Sequence, residues 1–111
     1  MTETIISIDD LLNLPRPSAK EMGWSPKSIP TIAVLCKDDK DTIRLWEKYN
    51  DLGNNPFVYV KYKSDLVGHN IIAILVSKDF DDEEILDYAK ERIISRCSHH
   101  DEFKKLFIAK E

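Results

Sequence analysis

Thiol, imidazole and carboxylate side chains lie close together in the stretch RCSHHDE, which contains Cys97, His99, His100 and Asp101. These groups are the ligand types that zinc takes in proteins. Adjacent side chains on a helix diverge, so a zinc site here needs a further ligand from elsewhere, such as Cys36. The plainer interpretation is a polar helix end, where histidines interact favourably with the terminal carbonyls. Cys97, His99 and His100 are therefore the metal candidates, and no cofactor is expected.

Cys36 is a second residue whose chemistry needs weighing, because it follows a predicted strand and precedes a predicted helix. A nucleophilic cysteine requires a lowered thiol pKa and a nearby base. Asp38, Asp39 and Asp41 instead surround Cys36 with negative charge, which raises a thiol pKa. Cys36 is predicted to pack as a small apolar residue.

The acidic clusters DDKD and DFDDEE each precede a predicted helix. Acids at that position stabilise the unpaired amides and the positive end of the helix dipole. Neither cluster has the spacing of a calcium-binding loop. The three glycines are far apart, which excludes a glycine-rich phosphate loop, and no GxSxG or HExxH motif occurs. The chain is predicted to be non-enzymatic.

The elements divide the chain near residue 30. Residues 1–30 are predicted to form a proline-rich N-terminal arm with one short helix, IDDLLNL, which Ser7 caps and Pro15 ends. Trp24 lies in this arm, and a tryptophan is costly to leave in water, so the arm is expected to lie against a surface. Residues 31–111 are predicted to form a single α/β domain.

Three strands are predicted in TIAVLC, PFVYVKYK and NIIAILVSK, with a helix after the first and another after the third. In the first helix, the apolar stripe is predicted to consist of Thr42, Leu45, Trp46, Tyr49 and Leu52. The segment KLFIAK fits a strand or a helix. As a strand, it completes a ferredoxin-like βαββαβ sandwich, with an antiparallel sheet and two helices on one face. As a helix, it gives a three-stranded α+β sandwich with a C-terminal helix.

The outer face of this predicted sheet is unusually apolar, since Leu75 and its alternate neighbours point away from the helices. An apolar sheet face is not left in contact with water. The arm with Trp24, a second copy of the chain or another protein is expected to cover it. The leading hypothesis is therefore an interaction or regulatory domain that uses this face for self-association or for a protein partner.

Aromatic and basic residues alternate on the second strand, where Phe57, Tyr59, Lys61 and Lys63 share a face. This alternation resembles the stacking surface of RNA-recognition-motif sheets, which have the same βαββαβ order. The resemblance implies a single-stranded nucleic-acid binder, although Ala and Leu stand where that family has aromatics on the first and third strands. The strand order is also similar to that of ACT-like regulatory domains, which implies a small ligand, although their first-turn glycine is absent. Tyr88 falls on the polar face of its helix and is predicted to mark a contact site.

The bulk composition limits the partner classes. The chain has 111 residues and a formal net charge of −4, which disfavours general attraction to phosphates or anionic lipid. No apolar segment reaches the roughly 20 residues that span a bilayer, and the first residues are acidic, unlike a secretory signal. The two cysteines form no CxxC pair. A cytoplasmic protein with a protein partner or a homodimeric state is predicted, without nucleic acid or membrane.

Overall fold

All neighbouring strands of the sheet run parallel in the computed structural model, which describes residues 3–16, 29–49, 52–96 and 106–111. The described strands are β1 (Glu3–Ile6), β2 (Pro30–Leu35), β3 (Phe57–Val60), β4 (Asn70–Val76) and β5 (Leu106–Lys110). The described helices are α1 (Ile8–Leu12), α2 (Asp39–Tyr49) and α3 (Glu83–Arg96), with a 3-10 turn at Lys63–Leu66. The order across the sheet is β1-β5-β4-β2-β3, so the chain crosses over between non-neighbouring strands.

The predicted ferredoxin-like antiparallel sandwich is wrong, and so is its three-stranded alternative with a C-terminal helix. The short connection between β3 and β4 suggested a hairpin. It instead contains the 3-10 turn, whose Leu66 is fully buried, and it carries the chain over β2 so that β4 pairs with the other side of that strand. Within KLFIAK, Leu106–Lys110 does form a strand, as the first of the two alternatives required, but β5 is parallel to both of its neighbours.

Helices cover both faces of the sheet, whereas the prediction placed two helices on one face. The core on one side joins α3 and the 3-10 turn to the strands and includes Leu35, Leu66, Ile74, Ile85, Ile93 and Ile108. The core on the other side joins α1 and α2 to the strands and includes Leu11, Ile32, Val34, Leu45, Tyr49 and Leu75. Strands that are apolar on both faces are typical of such a parallel sheet. The chain itself therefore supplies the cover that the apolar outer face requires.

Residues 3–12 take part in this architecture. β1 lies at one edge of the sheet and pairs with β5, with Ile5 opposite Ile108. The predicted short helix is confirmed as α1, and the Ser7 side chain accepts a hydrogen bond from the Asp10 amide at 3.0 Å. Leu11 of α1 is fully buried in the core. Among the helices that the structure describes, none is long and apolar enough to cross a membrane.

Candidate functional site

The carboxyl edge of the sheet is the first place to look for chemistry. β2 and β4 are neighbours, and the helices that follow them, α2 and α3, lie on opposite faces. The loops after two such strands diverge and leave a crevice, which is where open parallel sheets bind their ligands. Asp41 and Arg44 of α2 lie here, together with Ser77 after β4 and Glu111 after β5.

A network of charged groups fills this crevice. The Arg44 guanidinium donates to both carboxylate oxygens of Glu111, at 2.8 and 2.6 Å. It also donates to Asp41 Oδ1 at 2.7 Å and to Ser77 Oγ at 3.2 Å. The Tyr49 hydroxyl donates to Glu111 at 3.3 Å. The side chains of Asp41 and Glu111 retain only 4% and 6% of their exposure, so these carboxylates are held by protein groups instead of water.

The electrostatics of the network stabilise its charged forms. Hydrogen bonds from Arg44 lower the pKa of Glu111 to about 2, against the opposing effect of burial. Burial acts to raise the pKa of Asp41, but hydrogen bonds from Ser77, from the Lys37 amide and from Arg44 outweigh it and lower that pKa. The same contacts, led by the hydrogen bond to Glu111, raise the pKa of Arg44. Carboxylates that stay ionised beside a fixed guanidinium do not exchange protons near neutral pH, so the network is suited to holding β5 against α2.

An open cavity of about 240 Å³ lies beside the network, between the loop after β4 and the start of α3. Phe80 and Leu86 provide apolar walls, and Lys78 and Lys110 provide charge. Asp82, also in the wall, accepts hydrogen bonds from the Glu84 and Ile85 amides and caps α3. Ligand pockets usually measure about 300 Å³ or more, so this cavity is small for a bound metabolite.

The residues proposed for the outer sheet face do not form an open surface. Leu75 has 0% exposure and lies in the core under α1 and α2. Phe57 and Tyr59 are half-buried against the same core, with their rings edge to face at a centroid separation of 6.4 Å. A base-stacking platform requires exposed ring faces, and these two rings are engaged in packing.

The basic residues and Tyr88 are distributed over other parts of the molecule. Lys61 pairs with Asp39 at the start of α2. Lys63 pairs with Glu84 at 2.5 Å, and its ammonium lies 5.8 Å from the centroid of the Tyr88 ring. Tyr88 is half-buried against the core on the α3 side of the sheet. Lys63, which lies beside α3, therefore does not share a face with Phe57 and Tyr59, which pack on the α1 and α2 side of the sheet.

Cys97, His99, His100 and Trp24 lie outside the described residues, so their predicted roles stay predictions. Within the described ranges, no three side chains of the types His, Cys, Asp and Glu come together as metal ligands. Cys36 is 1% exposed, and burial raises the pKa of its thiol; the Asp41 charge acts in the same direction, and a hydrogen bond with Thr42 opposes it. The predicted packing role fits this environment.

The outer face of α2 presents an apolar surface that the sequence analysis missed. Ile43 and Trp46 are 59% and 52% exposed, and residues three apart on a helix are surface neighbours. Exposed Lys40 and Glu47 flank them. Trp46 was predicted to face the core, but the buried stripe consists of Asp41, Leu45 and Tyr49. Ile43 was the available signal, because an isoleucine outside the proposed stripe indicates that the helix is apolar on a second side.

We call the exposed residues Lys40, Ile43, Trp46 and Glu47 the α2 surface. It combines an aromatic anchor with a charged rim, the composition typical of protein contact sites. No protein-family model, no curated protein and no solved structure matches this chain, so its chemistry and geometry alone carry the functional argument.

Proposed function

We propose that this chain is a non-enzymatic interaction domain that contacts another protein surface through the α2 surface. The observation that carries the proposal is Trp46, a large aromatic residue that is 52% exposed on a helix that already has a complete buried stripe. Tryptophan is strongly enriched among the residues that dominate binding energy at protein interfaces. The exposed part of the Trp46 side chain offers apolar area to a partner and adds little packing to the core.

The carboxyl edge of the sheet supports the same class of function. The crevice in which a parallel α/β protein binds its ligand is occupied here by the Arg44, Asp41 and Glu111 side chains. These groups satisfy one another, so none of the three is poised for proton transfer near neutral pH. A cytoplasmic setting, inferred from the cysteine usage, belongs to this proposal.

Site-specific photo-crosslinking tests the proposal in cells that produce the protein. A benzoylphenylalanine is placed at position 47, one turn from Ile43, where it replaces one charge of the rim and keeps Ile43 and Trp46, on which the proposal depends. A matched control is placed at exposed position 87 on α3. A discrete adduct is expected from position 47, with its yield lost when Trp46→Ala is added. No adduct is expected from position 87.

Mass spectrometry then identifies the species attached at position 47. Equal crosslinking from both positions, or an adduct at position 47 that persists in Trp46→Ala, would contradict the proposal, since neither outcome depends on the aromatic anchor.

A further inference from the structure

The α2 surface has charges of opposite sign at its two ends. Lys40 lies in the first turn of the helix and Glu47 in the last part, with Ile43 and Trp46 between them. Their seven-residue separation corresponds to about 10 Å along the axis, too far for an ion pair within one helix. Within the part of the chain that the structure describes, neither residue forms an ion pair.

The neighbouring charges of α2 are already engaged. Asp39 pairs with Lys61, and Lys48 lies 3.6 Å from Glu111. Arg44 is held by Asp41 and Glu111. Lys40 and Glu47 are therefore the charges on this helix that are available to a partner, one positive and one negative.

From this arrangement we infer that the partner is a second copy of this chain, with the two α2 helices packed antiparallel across a two-fold axis. This inference rests on the proposed function and specifies its occupant. Centring the axis between residues 44 and 45 brings Ile43 of each copy opposite Trp46 of the other. It also brings Lys40 within about 3 Å, measured along the helix axis, of the level of Glu47 in the other copy. A lysine side chain reaches over that offset.

Antiparallel pairing is the arrangement that the charges favour. A two-fold interface uses the same patch on both copies, so each Lys40–Glu47 contact occurs twice. A parallel arrangement would place Lys40 beside Lys40 and Glu47 beside Glu47, and like charges in contact disfavour association. The apolar centre is small against the roughly 800 Å² per partner of a standard interface. The dimer is accordingly weak, with a Kd on the order of 100 µM.

Sedimentation equilibrium of the full chain, from about 10 µM to about 1 mM, tests the inference. The wild-type protein is expected to show a monomer–dimer equilibrium. Lys40→Glu and Glu47→Lys each make both charge contacts repulsive, so each variant alone is expected to dimerise about tenfold more weakly. Both substitutions place a charge that suits the helix dipole, and circular dichroism should show the native fold in both.

Mixing the two single variants gives the decisive measurement. In a heterodimer of Lys40→Glu with Glu47→Lys, both contacts join opposite charges again. The mixture is expected to recover the wild-type Kd, and so is the double variant. At about 1 M salt the differences between variants should disappear because the exposed charges are screened.

Two results would overturn the inference. A mixture of the two variants that dimerises no better than either variant alone would contradict the antiparallel geometry. A wild-type protein that stays monomeric over the whole concentration range would show that the partner is not a second copy of this chain. The proposed function fails separately, when position 47 gives no Trp46-dependent adduct, whereas an adduct with a different protein from a monomeric chain leaves that function standing.

Discussion

Arg44 of α2 and Glu111 after β5 form a bidentate ion pair, with nitrogen–oxygen distances of 2.8 and 2.6 Å, although they are 67 residues apart in sequence. Glu111 is also tied to the end of β4, because its amide donates to the Val76 carbonyl at 3.0 Å and its side chain accepts from the Lys78 amide at 3.2 Å. One glutamate therefore joins β4, β5 and α2 at the edge of the sheet. The pair stabilises an arrangement of elements that lie far apart in sequence.

Arg44→Met is expected to lower the free energy of unfolding by about 3 kcal/mol, because it leaves two nearly buried carboxylates without their guanidinium. Urea denaturation followed by circular dichroism measures the change. Lys48→Met is the matched control, since the Lys48 side chain is 56% exposed and its nitrogen lies 3.6 Å from Glu111. The control should cost far less, because an exposed ion pair contributes little to stability. Equal losses in the two variants would show that the buried pair has no special role.

Acid should destabilise the protein over a defined range. The pKa of Glu111 falls from 4.5 to about 2 on folding, so between these values the unfolded state binds more protons. The stabilisation from Glu111 is therefore fully present above pH 4.5 and is lost as the pH falls through about 2. Urea titrations at a series of pH values should show stability decreasing in this window.

Glu111→Gln provides the comparison for the acid titration. The amide does not titrate, so the variant should lose stability less steeply than the wild type below pH 4.5. A residual slope is expected from Asp41, whose pKa is also lowered in the folded chain. Identical slopes in both proteins would exclude Glu111 as a source of the acid sensitivity.

Much of the secondary structure could be predicted from the sequence, because each element has a local pattern. The apolar run of β2, the alternation of β3 and the acidic start of α3 identify their elements without tertiary information. The four-residue strand β1 was missed, because its TETIIS sequence lies before a helix cap and carries little periodicity. Its pairing with β5 depends on residues at the other end of the chain.

Strand pairing could not be predicted in the same way, since a connection of moderate length permits either a hairpin or a crossover. The informative signal was β4, which is apolar on both faces. That pattern was attributed to an external partner, whereas it reflects a parallel sheet between two helical layers. Asp41 was likewise expected to stabilise a helix end. It also accepts a hydrogen bond from Arg44, and Arg44 in turn is held by Ser77 and Glu111, which come from distant parts of the sequence.

Cys36 should react slowly in the folded protein. Its thiol is 1% exposed, donates to the Val34 carbonyl at 3.4 Å and has a raised pKa. Alkylation requires an accessible thiolate, so in a Cys97→Ser background the native protein is expected to react at least about a hundredfold more slowly than the urea-unfolded protein at pH 8. Mass spectrometry follows the reaction. Similar rates in both states would place Cys36 at the surface and contradict its packing role.

Leu45 and Trp46 are neighbours on α2 whose truncation should lower the stability of the protein by very different amounts. Leu45 has 0% exposure in the core, so Leu45→Ala is expected to cost about 2–4 kcal/mol of unfolding free energy. Trp46 is 52% exposed, and Trp46→Ala should cost less than about 1 kcal/mol although it removes more atoms. Urea denaturation at about 5 µM, where the weak dimer is dissociated, compares the two variants. A larger loss of unfolding free energy for Trp46→Ala than for Leu45→Ala would show that Trp46 stabilises the fold. That result would contradict its proposed role as an exposed contact residue.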